Sequence, residues 1–238
     1  MNKSISPSRN KKKAGSTEAA FSYLPSFEIE EDLIRQGYSL IAGVDEAGRG
    51  CLAGPLALGM TIYHASFIAD PDPLITSSVR DSKKISPKKR PIVLEAVKTH
   101  ALAHETIMVS HQTIDKHNIN GATKIAILKL ITSISVKPDI IIMDGNFSFD
   151  LDIPFIAVKK GDNRSLSIAS ASIGAKVTRD RVMEKFELHY PGYGLAQHKG
   201  YGTKFHREAI ANLGYCPIHR RSYEPVKSMI ALEKGHEG

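Results

Sequence analysis

The chain has 238 residues; 42% are hydrophobic, two are Cys, none is Trp, and 32 Lys and Arg against 25 Asp and Glu give a net charge of +7. This composition excludes a disordered, collagen-like or disulfide-stapled chain, and the length allows a substantial buried core. With no apolar stretch near 18 residues and no apolar segment typical of a secretory signal at the start, we expect a cytoplasmic protein without membrane contact. Cys51 and Cys216 are too few for a thiolate zinc site and are interpreted as ordinary small side chains.

The positive charge is concentrated in two segments. Residues 1–15 carry five Lys or Arg and no acid, and residues 176–227 carry ten against five acids, so each segment contributes +5 and the rest of the chain is at −3. Such segments favour an anionic partner, nucleic acid first, although a solubilising tail and solvated helix faces would explain them equally well. Residues 1–20 are expected to form a disordered basic arm, and residues 21–238 a single domain.

Hydrophobic periodicity and turn residues predict the following elements in chain order: a helix over 27–38, an antiparallel pair of strands over 39–44 and 56–63, a helix from a Ser86 cap to Lys98, a strand over 100–108, a helix over 121–134, strands over 139–143 and 153–158, helices over 165–189 and 203–213, and a C-terminal piece from Val226. A hairpin followed by alternating strands and helices predicts an α/β domain with a mixed sheet.

Carboxylates stand at the ends of two apolar strands. Asp45 and Glu46 follow the first strand, and Asp144 ends IIIMD. Acids that directly abut apolar runs are costly to desolvate without a partner, and strand ends are where ligand crevices form, so a shared site is favoured over solvated turn residues. Because neighbours on a strand point to opposite faces, Asp45 and Glu46 are expected to share that site only if the backbone turns there.

Asp162 follows a third apolar strand and precedes a long helix, so spacing alone leaves it as either a helix cap or a site residue. If the acids converge, a hard divalent cation such as Mg²⁺ is their natural partner. Two such ions would activate a water and stabilise the leaving oxygen of a phosphodiester, as in many nucleases.

Other motifs are weak. The sequence lacks a phosphate-binding G-x-x-x-x-G-K-[ST] loop and a dinucleotide-binding glycine motif. PGYGLAQHKGYGT suits a nucleic-acid-facing loop or a plain surface loop. We assign no role to His198, His206 or His219.

Seven segments together resemble the bacterial ribonuclease HII family, in family order over residues 39–227: GVDEAGRG (43–50), DSKKIS (81–86), MDGN (143–146), KGDNRS (160–165), ASIGAKVTRDR (171–181), HKGYGT (198–203) and HRRSYEPV (219–226). The resemblance implies a ribonuclease H-like fold, a mixed sheet flanked by helices with a C-terminal helical substrate-binding region. It also implies an endonuclease that uses Mg²⁺ or Mn²⁺ to cut the RNA strand of RNA/DNA hybrids and to cut 5′ of single ribonucleotides in duplex DNA, leaving 3′-OH and 5′-phosphate ends.

The resemblance also assigns residues. The family's catalytic, metal-binding acids fall on Asp45, Glu46, Asp144 and Asp162. Its substrate-reading turn falls on Gly48, Arg49 and Gly50, its phosphate-contacting pair on Ser82 and Lys83, and its sugar-stacking tyrosine on Tyr201.

Two features depart from the family pattern. Gly174 stands where a larger apolar residue is usual, which is expected to weaken its helix by up to about 1 kcal/mol relative to Ala. The basic arm lies outside the family core, and its role stays open.

Two alternatives remain at this point. The sister family ribonuclease HIII carries a sizeable extra N-terminal domain, whereas only 38 residues precede the first strand here. A noncatalytic nucleic-acid-binding protein would not need four acids within a basic surface, because acids repel phosphate unless metals intervene. A monomer is the default expectation, and the sequence does not identify a sliding-clamp partner.

Overall fold

Five strands form one mixed sheet in the computed structural model, which describes residues 24–236. The predicted arm at residues 1–20 therefore lies outside the described residues. The strands are β1 (Ile41–Ala47), β2 (Leu56–Ile62), β3 (Ala103–Val109), β4 (Ile140–Asp144) and β5 (Phe155–Val158), in the spatial order β3-β2-β1-β4-β5. β2 pairs antiparallel with both β1 and β3, whereas β4 pairs parallel with β1, and β5 pairs parallel with β4. The predicted hairpin and mixed sheet are confirmed.

Helices cover both faces of the sheet. They are α1 (Glu28–Arg35), α2 (Ala65–Ala69), α3 (Pro73–Ser78), α4 (Arg90–His100), α5 (His111–Ser133), α6 (Leu166–His189), α7 (Leu195–His198), α8 (Lys204–Leu213) and α9 (Val226–His236). Along β1, Ala42 and Val44 pack with α5, whereas Ile41 packs with α6 and α1. In residues 24–236, no helix combines the length and apolar character needed to cross a membrane.

The backbone of α6 lies almost directly on the sheet. A Cβ added to Gly43 of β1 would lie 2.3 Å from the Ser167 carbonyl carbon, and one added to Gly59 of β2 would lie 2.2 Å from the Ala171 carbonyl oxygen. Only glycine permits this approach. The close packing fixes the helix that follows Asp162 against the strand that carries Asp45.

The structure corrects the predicted start of α4. The helix begins at Arg90, with Lys89 rather than Ser86 at the cap position. A helix starting at Pro87 would place Pro91 where a backbone N–H must donate to residue 87, and its ring would collide with that carbonyl. Starting at Arg90 puts Pro91 in the first turn, where no donor is needed. The same helix extends to His100, so β3 begins later than predicted.

α5 is longer than predicted and is broken within its length. Asn118 has φ 55° and ψ 177°, and its side-chain oxygen accepts hydrogen bonds from the amides of Asn120 (2.9 Å) and Gly121 (3.1 Å). It therefore caps the segment that the periodicity detected. α2, α3 and α7 were not predicted, because four to six residues carry too little periodicity.

The structure explains Gly174 of α6 in a way that the sequence did not. A Cβ there would lie 2.5 Å from the His104 ring and 3.0 Å from the Thr106 hydroxyl, so the glycine makes room for a histidine on β3. His104 Nδ1 also lies 2.9 Å from the Thr61 hydroxyl, which limits how far the ring can move. Gly174 is therefore unfavourable for the helix itself but is required for packing against His104.

Gly174→Ala is therefore expected to lower the free energy of unfolding by about 1–2 kcal/mol, because overpacking outweighs the gain in helix propensity. Urea unfolding of Gly174→Ala, His104→Ala and the double variant checks this. A double variant no less stable than His104→Ala alone would show that the clash causes the loss; a stabilised Gly174→Ala would contradict it.

Candidate active site

The predicted site residues come together where β1 and β4 end. A cavity of about 420 Å³ is lined by nine of them, namely Asp45, Glu46, Gly48, Arg49, Gly50, Ser82, Lys83, Asp144 and Tyr201. Asp162 lines an adjoining groove that also contains Asp144 and Lys83. Ser172 and Lys176 of α6 complete the cavity wall, and sequence reasoning missed both.

The expectation that the backbone must turn for Asp45 and Glu46 to share a site is wrong. Both residues stay in β1, paired with Gly59 and Leu58 of β2, and their side chains alternate between the two faces. β4 pairs with β1 only as far as Val44. Beyond Val44, the edge of β1 that faces β4 is no longer paired with that strand. Asp45 and Glu46 can therefore both line the cavity although they lie on opposite faces of β1.

Asp144 is the common electrostatic neighbour of the other three acids. Burial, followed by the charge of Glu46, raises the pKa of Asp45 well above its usual value, and Asp144 adds to the shift. Burial raises the pKa of Glu46 to about 7, against the lowering effect of Arg49 and with a further rise from Asp144. Burial and then Asp144 raise the pKa of Asp162. The negative charge of Asp144 therefore disfavours ionisation of each of the other three acids.

A cluster of buried carboxylates whose pKa values are raised fits a divalent cation. Glu46 Oε2 is buried without a hydrogen-bond partner. The donors are carboxylate oxygens, which Mg²⁺ and Mn²⁺ prefer. Within the described residues, no three His, Cys, Asp or Glu groups already form a complete ligand set. Water and substrate oxygens would therefore complete the coordination, as is usual for Mg²⁺.

Asp162 does not cap α6. Ser165 is the N-cap residue, and its hydroxyl accepts a hydrogen bond from the Ile168 amide at 3.1 Å. Asp162 instead lies in the short 3-10 turn Gly161–Asn163, where its Oδ1 accepts from the Asn163 side-chain amide at 2.6 Å. The amide of Gly161 in the same turn donates to Asp144 Oδ1 at 2.6 Å. The turn after β5 is thereby tied to the acid that ends β4.

The two glycines of the Gly48–Gly50 turn serve different needs. Gly48 has φ 95°, and a Cβ there would lie 2.0 Å from Arg179 Nε. At Gly50 a Cβ would meet nothing within 4 Å, so nothing in the described structure requires glycine there. The Arg49 guanidinium is held by Asn120, by the Thr123 hydroxyl and by the Phe147 ring.

Two fully buried arginines shape this turn, and sequence reasoning gave neither a role. Arg220 donates to the carbonyls of Gly48 (2.6 Å), Arg49 (2.8 Å) and Gly54 (3.2 Å). Arg179 donates to the carbonyls of Pro55, Lys199 and Ala53. The sequence did offer a reason to single out these arginines, because both lie in segments that carry the family resemblance. Backbone carbonyls, which single-sequence patterns cannot reveal, accept most of these hydrogen bonds.

Tyr201 presents its ring to the cavity and is 38% exposed. Its carbonyl accepts a hydrogen bond from His206 Nδ1 at 2.9 Å, and His206 Nε2 lies 3.1 Å from His219 Nε2. His198 stacks on His206 with ring centroids 4.3 Å apart. The three histidines left without a role thus support the Tyr201 loop from behind.

Ser82 and Lys83 line the same cavity as the acids. The Ser82 hydroxyl is buried and accepts a hydrogen bond from the Ser172 hydroxyl at 3.1 Å. Burial lowers the pKa of Lys83, but the charges of Asp81, Asp162 and Asp45 outweigh it and raise the pKa overall. Lys83 is therefore a stable cation beside the acids.

A buried histidine makes stability depend on pH. Burial lowers the pKa of His104 from 6.5 to about 4, so the unfolded chain binds a proton in this window that the folded chain does not. His104 therefore contributes full stability above pH 6.5 and loses it as the pH falls towards 4.

Asp45 and Glu46 have the opposite effect on the pH dependence of stability. Their pKa values are raised on folding, so they favour the folded state as the pH falls. The measurement is therefore the difference in unfolding free energy between the wild type and His104→Gln, which should shrink between pH 7 and 4.5. A difference independent of pH would contradict the prediction. The exposed His117→Gln is the matched control.

Comparison with known proteins agrees with this geometry. The sequence model of the family Ribonuclease HII matches residues 42–226. Ribonuclease HII of Caldicellulosiruptor saccharolyticus is 46% identical over 197 residues, covering 83% of this chain and 93% of the relative. Ribonuclease HII of Chloroflexus aurantiacus is 41% identical over 212 residues, covering 89% and 99%.

A solved structure supports the fold. The crystal structure of ribonuclease H2 from Pyrococcus horikoshii OT3 superposes with a TM-score of 0.67 and 26% identity, covering 82% of this chain and 99% of that chain. The architecture is therefore the expected ribonuclease H-like one. The matched residues include the acids that end β1 and β4 as well as Arg179 and Arg220. Because the family model and these relatives match most of the chain, the chain belongs to the ribonuclease HII family of metal-dependent nucleases, which hydrolyse phosphodiester bonds in RNA/DNA hybrids.

Proposed function

We propose that this protein cuts duplex DNA on the 5′ side of a single embedded ribonucleotide, as well as the RNA strand of longer hybrids, and leaves 3′-OH and 5′-phosphate ends. The observation that carries the proposal is the position of the Gly48–Gly50 turn in the same cavity as Asp45, Glu46 and Asp144. A backbone able to approach a sugar closely thus adjoins the acids that would hold the metal ions.

The acids Asp45, Glu46, Asp144 and Asp162 are proposed to hold two Mg²⁺ or Mn²⁺ ions. When bound, the ions supply an activated water and stabilise the leaving 3′-oxygen in an in-line displacement. The Gly161 amide orients Asp144, and the Glu46 amide donates to Asp45 Oδ1 at 2.7 Å. The Lys83 ammonium would balance part of the charge of the cleaved phosphate.

Recognition of the ribonucleotide is proposed to depend on the turn backbone. The 2′-hydroxyl both donates and accepts hydrogen bonds, and it alone distinguishes RNA from DNA at a given residue. The open space where a Gly50 side chain would lie leaves room for the sugar. Arg220 and Tyr223 hold the Arg49 carbonyl from behind, at 2.8 and 3.1 Å, so the turn presents a fixed surface.

Tyr201 is proposed to stack on the next sugar in the 3′ direction. Lys176 and Arg179 lie 5.7 and 5.9 Å from its ring centroid. A second 2′-hydroxyl would crowd the ring, so a deoxyribose is favoured there and the enzyme prefers an RNA–DNA junction. The C-terminal region, α7 to α9, supports this loop and is proposed to bind the duplex.

The proposal is tested with three duplexes that carry, at one position, a ribonucleotide, its 2′-deoxy form or its 2′-O-methyl form. Only the first should be cut. Efficient cutting of all-DNA duplex under the same conditions would refute the proposed reading of the 2′-hydroxyl.

Tyr201→Ala is expected to lower kcat/KM on the single-ribonucleotide duplex by about 10- to 100-fold, since we take the ring–sugar contact to be comparable to base–aromatic stacking, which contributes about 1–3 kcal/mol per base. Tyr201→Phe should retain most of the activity because it keeps the ring. Unimpaired cutting by Tyr201→Ala would remove the stacking step and leave the metal site unaffected.

A further inference from the structure

A second groove opens beside the acids, on the side away from the Gly48–Gly50 turn. Its volume is about 1060 Å³, and it shares Asp144 and Lys83 with the catalytic cavity. Neither the turn nor Tyr201 lines it. The two depressions therefore adjoin at Asp144 and Lys83.

This groove is basic in spite of the acids that it contains. Five cations line it, against three acids, of which Asp144 and Asp162 belong to the proposed metal site. Lys159, Lys160 and Arg164 are exposed, and none forms an ion pair within residues 24–236. Metal ions on the acids would make the groove more positive still.

The backbone holds two of these lysines next to the acids. Lys159 and Lys160 directly follow β5, and the next residue, Gly161, donates its amide to Asp144 at 2.6 Å. Lys160 is left-handed, with φ 55° and ψ 44°, which is unusual for a residue with a Cβ. Lys84 reaches across the groove and donates to Asn163 Oδ1 at 2.5 Å. Hydrogen bonds therefore fix the backbone next to Lys159 and Lys160 and hold Lys84 in place along the groove.

We propose that this groove binds the phosphates of the cleaved strand upstream, on the 5′ side, of the cut. The inference rests on the proposed function, which places the ribonucleotide at Gly48–Gly50 and its 3′ neighbour at Tyr201. The bond to be cut lies 5′ of the ribonucleotide, so the strand leaves the acids in the other direction. Lys159, Lys160 and Arg164 meet it there, and they lie outside the basic segments at 1–15 and 176–227.

The test compares wild type with the double variant Lys159→Gln/Lys160→Gln and with Arg164→Gln, all on surface positions and each checked by thermal unfolding. Lys129→Gln, an exposed lysine on α5, is the matched control. Dissociation constants for the single-ribonucleotide duplex are measured in chelator over a range of salt concentrations, and KM and kcat in Mg²⁺. Duplexes with neutral methylphosphonates at the first three upstream or downstream phosphates locate the contact.

The double variant is expected to raise Kd and KM severalfold with little change in kcat, and to reduce the slope of log Kd against log salt by about 1 for each lysine. Upstream methylphosphonates should weaken binding by the wild type but no longer by the double variant. A double variant with the same affinity and salt slope as Lys129→Gln would overturn the inference. Wild-type binding that is weakened by downstream rather than upstream methylphosphonates would overturn it as well. Wild type that fails to cut the ribonucleotide duplex would instead overturn the proposed function, and the strand direction with it.

Discussion

Asp144→Asn is expected to lower the cleavage rate by about 10³-fold or more, a loss of several kcal/mol of transition-state stabilisation. Asp144 is the acid whose charge acts on Asp45, Glu46 and Asp162 alike, so its loss alters the surroundings of all three. The fold should survive, since the amide is nearly isosteric and its oxygen can still accept from Gly161. Duplex binding in chelator should persist.

Single-turnover cleavage in saturating Mg²⁺ measures this loss. Asp152→Asn, an exposed acid in the loop after β4, serves as the control and should cut normally. Near-normal turnover by Asp144→Asn would exclude Asp144 as a metal ligand.

Arg220→Met should produce the largest loss of stability, about 3–5 kcal/mol. Arg220 is fully buried, and its guanidinium satisfies the carbonyls of Gly48, Arg49 and Gly54. Methionine fills a similar volume but leaves these carbonyls buried without donors. The turn that is proposed to read the ribose should also lose its fixed conformation.

Urea unfolding and the ratio of kcat/KM for ribonucleotide-containing and all-DNA duplexes test both effects. Arg220→Lys, which restores one donor and the charge, should fold more stably than Arg220→Met yet still discriminate less well than wild type. The neighbouring Arg221 is exposed, and Arg221→Met should change stability by no more than about 0.5 kcal/mol. Arg220→Met as stable and selective as that control would contradict the positioning role.

Local patterns predicted most of the sheet. Apolar runs predicted β1 and β4, and the acids that end them were expected at the rim of the sheet, where ligand crevices form. The structure adds that the two strands pair in parallel, so their ends meet at one edge. The helix predicted over 165–189 is confirmed as α6, although its N-cap is Ser165, which the sequence analysis did not identify. The family resemblance supplied the roles of Asp162 and Tyr201, which spacing alone left open.

Long-range contacts were beyond a single sequence. Arg179 and Arg220 act on carbonyls more than 100 residues away, and Gly174 is explained only by His104 on a distant strand. The sharing of one cavity by Asp45 and Glu46 depends on where β4 stops pairing with β1. Each of these features is a property of tertiary packing, which local periodicity does not encode.

In the proposed mechanism, the four acids hold divalent ions beside a turn that recognises one ribose; they are Asp45, Glu46, Asp144 and Asp162. The most direct measurement is cleavage of an end-labelled DNA duplex containing one ribonucleotide, in Mg²⁺, in Mn²⁺ and in chelator, with the product ends identified. We expect a single cut 5′ of the ribonucleotide in either metal, with a 3′-OH and a 5′-phosphate, and none in chelator. Cutting that persists in chelator, or cuts scattered through the DNA, would contradict this mechanism.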